Sequence, residues 1–396
     1  MPAQIAVENI RNAKGERVTL LIEAGRVAAL GPAETLDIAQ TAERIDGGGK
    51  MILPGLVDGH IHLDKTLIGL PFIPHIPGDT VAKRIAAERE LRRTVALPVT
   101  TRGGVLIEKI AALGTVAVRS HVDIDTEIGL KGLDQVLSLR ESHGHLIDIE
   151  IVAFPQSGIM RDPGTADLLH EAVAHGADLV GGLDPAGIDD DINGHLDAVF
   201  AVAEKHNVGV DLHLHDGGAL GAFELRQIAE RTIALSLQGR VAVSHAFCLG
   251  ELDDADFGRT AERLARAEVS IMTNGPGPVP MPPVKRLAEA GVRVFCGSDN
   301  IRDAWSPFGN GDLIERAGII CDRQDFRADD DLERAFALVT HAPSAVLGRA
   351  EPLVFGAPAD FILVECGSIA ETLAVRPVAR TVFKAGRKVA EAGRLV

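Results

Sequence analysis

Apolar and polar positions alternate near the start of the chain, where Val18, Leu20 and Ile22 share one face and Arg26-Val27-Ala28-Ala29-Leu30 resumes the pattern after Gly25. A period of two, punctuated by Gly25 and Gly31, predicts short antiparallel strands. The chain ends in the same style, with Asp360-Phe361-Ile362-Leu363-Val364 and Thr381-Val382-Phe383-Lys384. Ala24-Gly25-Arg26-Val27 and Ala385-Gly386-Arg387-Lys388-Val389 look alike. Residues 1–52 and 350–396 are therefore expected to build one small composite β-sandwich domain from both termini.

Between these ends, strand-like apolar runs alternate with segments of helical period. The runs predict strands over 52–60, 115–121, 147–154, 178–183, 208–213, 240–245, 268–273 and 292–298. Helices are expected over 130–140, 165–174, 196–206, 223–235 and 284–290. Eight strands alternating with helices predict an α/β fold, a closed (β/α)8 TIM barrel over residues 53–349. A doubly wound open sheet is the rival, but no strand is followed by G-x-G-x-x-G.

The first predicted strand runs into His60-Ile61-His62. Strand side chains alternate faces, so His60 and His62 point the same way and can share an ion. By itself an H-x-H pair carries little weight, and His143-Gly144-His145 is a second one. Position separates the two. In a parallel barrel the chemistry sits at the C-terminal ends of the strands. There the chain delivers His60 and His62, His121 and Asp123, Gln156, Asp184, His213 and His215, His245, Asn274 and Asp299. A purely structural distribution would scatter such residues over both rims. His143 and His145 precede the third strand, on the opposite rim, and are expected to be surface loop residues. The inferred metal set is His60, His62, His213 and Asp299, three imidazoles and a carboxylate. A divalent ion so held acidifies a bound water to a pKa of about 7. The third and fourth strand ends, Phe154-Pro155-Gln156 and Leu183-Asp184-Pro185, offer no lysine to bridge a second ion, so one Zn2+ (or Fe2+) per chain is expected.

Composition narrows the partners. The net charge of -16 disfavours nucleic acid. Residues 84–93 mix both signs of charge and read as a solvated helix face. The four cysteines are far apart without a C-x-x-C, which fits a reducing compartment. The N-terminal stretch lacks the apolar core of a signal peptide, and no window approaches a membrane span. A cytoplasmic protein without nucleic-acid or membrane partners is expected.

With these residues assembled, the chain resembles the amidohydrolase superfamily in its cytosine-deaminase-like branch. The resemblance spans nearly the whole chain. It rests on His60-Ile61-His62-Leu63-Asp64-Lys65, Ser120-His121-Val122-Asp123, Ile151 to Gln156, Val210 to His213, Ser244-His245 and the long run from Ser298 to Asp312. It implies the barrel, the composite β domain, one zinc or iron ion, a homo-oligomer (dimer or tetramer), and hydrolysis of an exocyclic C–N bond on a small nitrogen heterocycle. Cytosine deaminase places a proton-shuttling glutamate three residues after the fifth-strand histidine; here that position is Asp216, with His215 one residue nearer. Its second eighth-strand carboxylate is Asn300 here. Both departures favour an N-alkylamino- or amino-s-triazine over cytosine.

Within this resemblance each remaining residue has a functional and a bland reading. His215 faces the same cavity as His213 and is expected to carry the proton, with Asp216 its rival and a merely orienting histidine the alternative. His245 would stabilise charge on the ring or hold the attacking water, or else be a buried structural histidine. Lys65 would hydrogen-bond a ring carbonyl or stabilise negative charge as a catalytic residue, or be an ordinary solvated lysine. Gln156, Asp216, Asn300 and Trp305 are expected to contact substrate. His121 and Asp123 are expected to support the site rather than bind metal. Deamination of cytosine or a related pyrimidine, and a non-catalytic small-molecule-binding barrel, are the competing functions.

Overall fold

In a computed structural model that describes residues 4–76 and 78–396, eight parallel strands form one sheet in strict chain order. They are Leu56–Ile61, Thr115–Asp123, Asp148–Phe154, Leu179–Leu183, Gly209–Leu214, Val241–His245, Ser270–Thr273 and Val294–Cys296. The ring closes at the ends of the first and last strands. Ile61 bridges Asp299, and the Asp299 N–H donates to the His60 carbonyl at 2.8 Å. Gly297 makes this approach possible, because a Cβ there would lie 2.5 Å from the His60 nitrogen.

The strands are buried on both faces, as parallel strands covered by helices must be. Thr115–Asp123 is buried at every position. Helices Lys131–His143, Thr165–His175, Ile192–His206, Gly218–Ala234 and Val284–Glu289 stand where the sequence period predicts them. Local signals set their ends. Asp191 accepts the Gly194 N–H at 2.8 Å to start Ile192–His206, and Asn207 in the left-handed region stops it. No helix of the described residues is long and apolar enough to cross a membrane.

The termini form a second sheet of nine strands, including Gln4–Arg11, Arg17–Glu23, Met51–Pro54, Phe361–Val364 and Thr381–Lys384. The two ends interlock through Met51–Pro54, which pairs antiparallel with Phe361–Val364 and touches Gln4–Arg11 on its other side. The apolar run expected to be one barrel strand from residue 52 is thus split. Its first half belongs to the terminal sheet, and the barrel strand starts only at Leu56. Gly55 is the break point, packed so closely that a Cβ would lie 2.7 Å from Val116.

Phe361 and Phe383 stack at 4.4 Å in the core of this sheet. Arg380, fully buried, ties it to the barrel through a two-pronged ion pair with Asp312 at 2.8 Å. Removing residues 350–396 deletes Phe361, Ile362, Leu363, Val364, Val382 and Phe383, all buried. At roughly 2 kcal/mol each, that loss rivals the whole stability of an ordinary domain. The truncated chain is expected to be insoluble or to lose its cooperative thermal transition. A soluble, fully active truncation would show that the ends fold independently.

Candidate active site

The strand ends bring nine of the predicted residues to one cavity. Its volume is about 990 Å3, and its lining includes His62, Lys65, Gln156, His213, His215, His245, Asp299, Asn300 and Trp305. Apolar walls are supplied by Phe154, Leu183, Phe247 and Trp305. His60 lies beneath, fully buried.

His60 joins two converging groups of ligand atoms, one with His62 and His213 and one with His245 and Asp299. Nitrogens of His60, His62 and His213 lie within 4.8 Å of one another. Asp299 Oδ1 is 3.5 Å from His60 Nε2 and 3.4 Å from His62 Nε2. His60 Nε2, His62 Nδ1 and both nitrogens of His213 are buried without a hydrogen-bond partner. Buried polar atoms are rarely left so, and such a cluster in a pocket that also holds the Asp299 carboxylate fits a cation. The protonation states fit as well. Burial, reinforced by neighbouring positive groups, holds His62 and His213 well below the usual histidine range, so both are neutral as ligands must be. Burial alone would raise Asp299, but the imidazoles around it, His62 and His245 among them, hold its carboxyl well below the usual range.

A buried relay behind the site fixes the tautomer of His60. Ser244 Oγ lies 2.9 Å from His60 Nδ1 and 3.2 Å from Asp211 Oδ1. Asp211 is ionised: burial opposes this, but His121 and Arg119 keep its carboxyl well below the usual range, and Arg119 pairs with it at 2.8 Å. An ionised carboxylate only accepts, so the hydroxyl donates to Asp211 and accepts from His60 Nδ1–H. The Nε2 lone pair is thereby aimed at the ligand cluster, as orienting partners of metal-binding histidines do. Asn274 supports the other side, donating to Asp299 Oδ2 at 2.7 Å. His121 and Asp211 also form, with His60, a further group of converging ligand atoms. The Asp211 side of that group is already occupied by Arg119 and Ser244.

His215 Nδ1 bonds Asp184 Oδ2 at 2.9 Å, so Nε2 is the nitrogen left to exchange protons. Burial pulls this imidazole down, but Asp184 more than compensates and the net shift is upward. His245 stacks on His215 at 4.5 Å. It sits at a positive φ of 73°, unfavourable for a residue with a Cβ and characteristic of active-site strand ends. Asp216 is not in the cavity wall. Its carboxylate turns away to accept the Gly187 N–H at 2.9 Å and lies against buried Glu224. The expected substrate contact from Asp216 is therefore corrected: one residue further along the loop, the side chain faces the turn that carries Asp184.

Lys65 is buried, not solvated. Its ammonium meets Asp123 at 3.0 Å, Glu88 at 3.2 Å and the Gln156 side-chain oxygen. Lysine only donates, so the Gln156 amide NH2 is the end left for a ligand. Burial and Glu88 push Asp123 up to about 7. Asn300 donates to Asp303 at 2.7 Å, and Asp303 also takes the Trp305 and Ser306 N–H groups, which folds the Trp305 loop against the cavity.

Residues 84–93 depart from the expected solvated face. They lie in helix Val81–Thr94, whose Ile85 and Glu88 are buried. Arg92 pairs with Asp125 at 3.0 Å, and Arg84 donates to the Trp305 carbonyl at 3.2 Å. Charge alternation hid these contacts, because their partners lie in loops distant in sequence. His143 and His145 sit at the other end of the barrel, His143 as the last residue of its helix rather than in the loop.

An amidohydrolase family model matches residues 104–390. The chain is 33% identical over 310 residues to an N-isopropylammelide isopropyl amidohydrolase of Pseudomonas sp. (strain ADP), covering 77% of each. It superposes on the crystal structure of N-isopropylammelide isopropylaminohydrolase from Burkholderia multivorans with a TM-score of 0.96 and 42% identity over 100% of both chains. It also resembles 5-methylcytosine deaminase from Klebsiella pneumoniae, with a TM-score of 0.86 and 25% identity over 97% of each chain.

Proposed function

The chain belongs to the amidohydrolase family and is a hydrolase of non-peptide C–N bonds; from that premise we propose that it removes an alkylamino group from an N-alkylamino-s-triazine such as N-isopropylammelide. The observation that carries this reading is the convergence of His60, His62, His213 and Asp299 beside the His215–Asp184 pair at the base of one cavity. One Zn2+ or Fe2+ would be held by those four residues, and when bound it supplies Lewis acidity and lowers the pKa of a coordinated water.

The remaining work falls to the chain. In the overall reaction a water oxygen bonds to the ring carbon, the exocyclic C–N bond breaks, and a water proton ends on the departing amine. An amine leaves poorly as an anion, so this transfer needs a carrier. His215 takes the proton at Nε2 and returns it to the leaving nitrogen, while Asp184 steadies the imidazolium at Nδ1. His245, stacked on His215, faces the reacting atoms from the same side. The Gln156 amide, held by Lys65, donates to a ring carbonyl or ring nitrogen. Phe154, Leu183 and Trp305 give an N-alkyl substituent an apolar wall, which supports an alkylamino over a bare amino group. The likeness to 5-methylcytosine deaminase supports a second reading, deamination of cytosine or a related pyrimidine.

A panel of aminotriazines and aminopyrimidines, scored for released amine or ammonia, separates these readings. Turnover of N-alkylaminotriazines above aminopyrimidines is expected; preference for the pyrimidines would overturn the first reading in favour of the second. Strong chelation is expected to remove close to one equivalent of divalent metal together with activity. Two tightly held ions in the active enzyme, or full activity without any, would refute the single-ion site.

A further inference from the structure

Glu88 is 7% exposed although it sits on a charged helix, and burying a carboxylate is costly unless donors meet it. Two do, on one oxygen. Glu88 Oε2 accepts from Lys65 Nζ at 3.2 Å and from the indole Nε1 of Trp305. Lys65 follows the first barrel strand and Trp305 follows the last. Lys65 also grips Gln156, which follows the third. Three walls of the cavity thus meet at a single carboxylate oxygen brought in by helix Val81–Thr94. The helix is held there independently, since Val81 and Ile85 pack in one apolar cluster with Phe154, Leu183 and Trp305, and Arg84 takes the Trp305 carbonyl at 3.2 Å.

We propose that Glu88 is a positioning residue for substrate specificity, holding the Trp305 indole and the Lys65–Gln156 pair in the one arrangement that fits the heterocycle. It does not touch the reacting atoms. The identity of the ligand so selected rests on the aminohydrolase reading; the clamp itself does not. Without the carboxylate, the indole N–H and the ammonium each lose an acceptor. The indole then turns toward solvent, and Lys65 is left to Asp123 and Gln156. The loss is one of binding geometry, so KM should rise while kcat changes little.

Trp305 is the single tryptophan of the chain and reports on the clamp directly. Glu88→Ala and Glu88→Asp are compared with the wild type and with Glu88→Gln, which keeps an acceptor oxygen at the same reach. The shortened aspartate cannot reach both donors, and it retains the charge should the alanine variant fold poorly. In the substrate-free, metal-replete proteins, Trp305 emission is expected to shift to longer wavelength and become accessible to acrylamide in the alanine and aspartate variants, and to return toward wild type in the glutamine variant. KM for the amine-releasing substrate is expected to rise about tenfold or more in the first two, the scale of a lost hydrogen bond to a charged group, with partial rescue by glutamine. Unchanged emission and quenching in both Glu88→Ala and Glu88→Asp would overturn the proposal, as would a fall in kcat at constant KM. The fluorescence arm needs no substrate. Absence of amine release from wild type would therefore defeat the aminohydrolase reading while the clamp is judged on emission alone.

Discussion

His62→Ala is expected to purify with little or no divalent metal and without measurable activity. His62 Nε2 faces Asp299 at 3.4 Å, and its Nδ1 has no other partner in the buried site. Removing it leaves His60, His213 and Asp299, with the carboxylate deprived of a neighbouring imidazole that helps hold it ionised. Elemental analysis per chain checks the first outcome and amine release the second. His143→Ala and His145→Ala are the matched controls. They have the same H-x-H spacing at the opposite end of the barrel, where His143 contacts Ser142 Oγ at 2.9 Å. Both controls should keep metal and activity. Loss of metal from either would mean that the strand ends are not where the barrel places them.

The second large effect is expected at His215. His215→Ala should retain the metal but lower kcat by roughly 10² or more, the usual scale for losing an acid–base group. Asp216→Asn should cost less, because that carboxylate is bound to the Gly187 N–H and does not line the cavity. If Asp216→Asn proves the more damaging of two metal-replete variants, the proton carrier is Asp216. The pH profile adds a test with a definite sign. Accepting a proton requires neutral His215, and its pKa is raised, with Asp184 opposing the effect of burial. Activity should therefore fall as pH drops through that raised value. Asp184→Asn removes the raising charge, so the acid limb should move to lower pH while kcat declines. An acid limb that stays in place would separate His215 from the rate.

The sequence by itself determined the barrel, the shared terminal sheet and the rim at which the histidines and carboxylates gather. These follow from local periodicity. A period of two sets which histidines share a face, and the alternation of strand with helix leaves few topologies once parallel crossovers are right-handed. His60, His62, His213 and Asp299 were legible as one group because each lies at or just past the C-terminal end of a strand, and strand ends in a closed barrel converge. Tertiary structure alone decided the partners. Ser244 reaches His60 across 184 residues of chain, and Glu88 reaches Trp305 across 217. Nothing in the mixed charges around Glu88 distinguishes a buried clamp from a solvated face, since burial depends on what the closed barrel sets opposite. The same holds for His215 and Asp216. They are adjacent in sequence, yet the turn after the fifth strand directs one into the cavity and the other against Glu224. Gly55 is the clearest instance: an unbroken apolar run was cut in two because Met51–Pro54 finds its partner at Phe361–Val364, some 300 residues away. Periodicity reports the environment a side chain prefers, whereas contacts are made by whichever distant segment the fold brings to it.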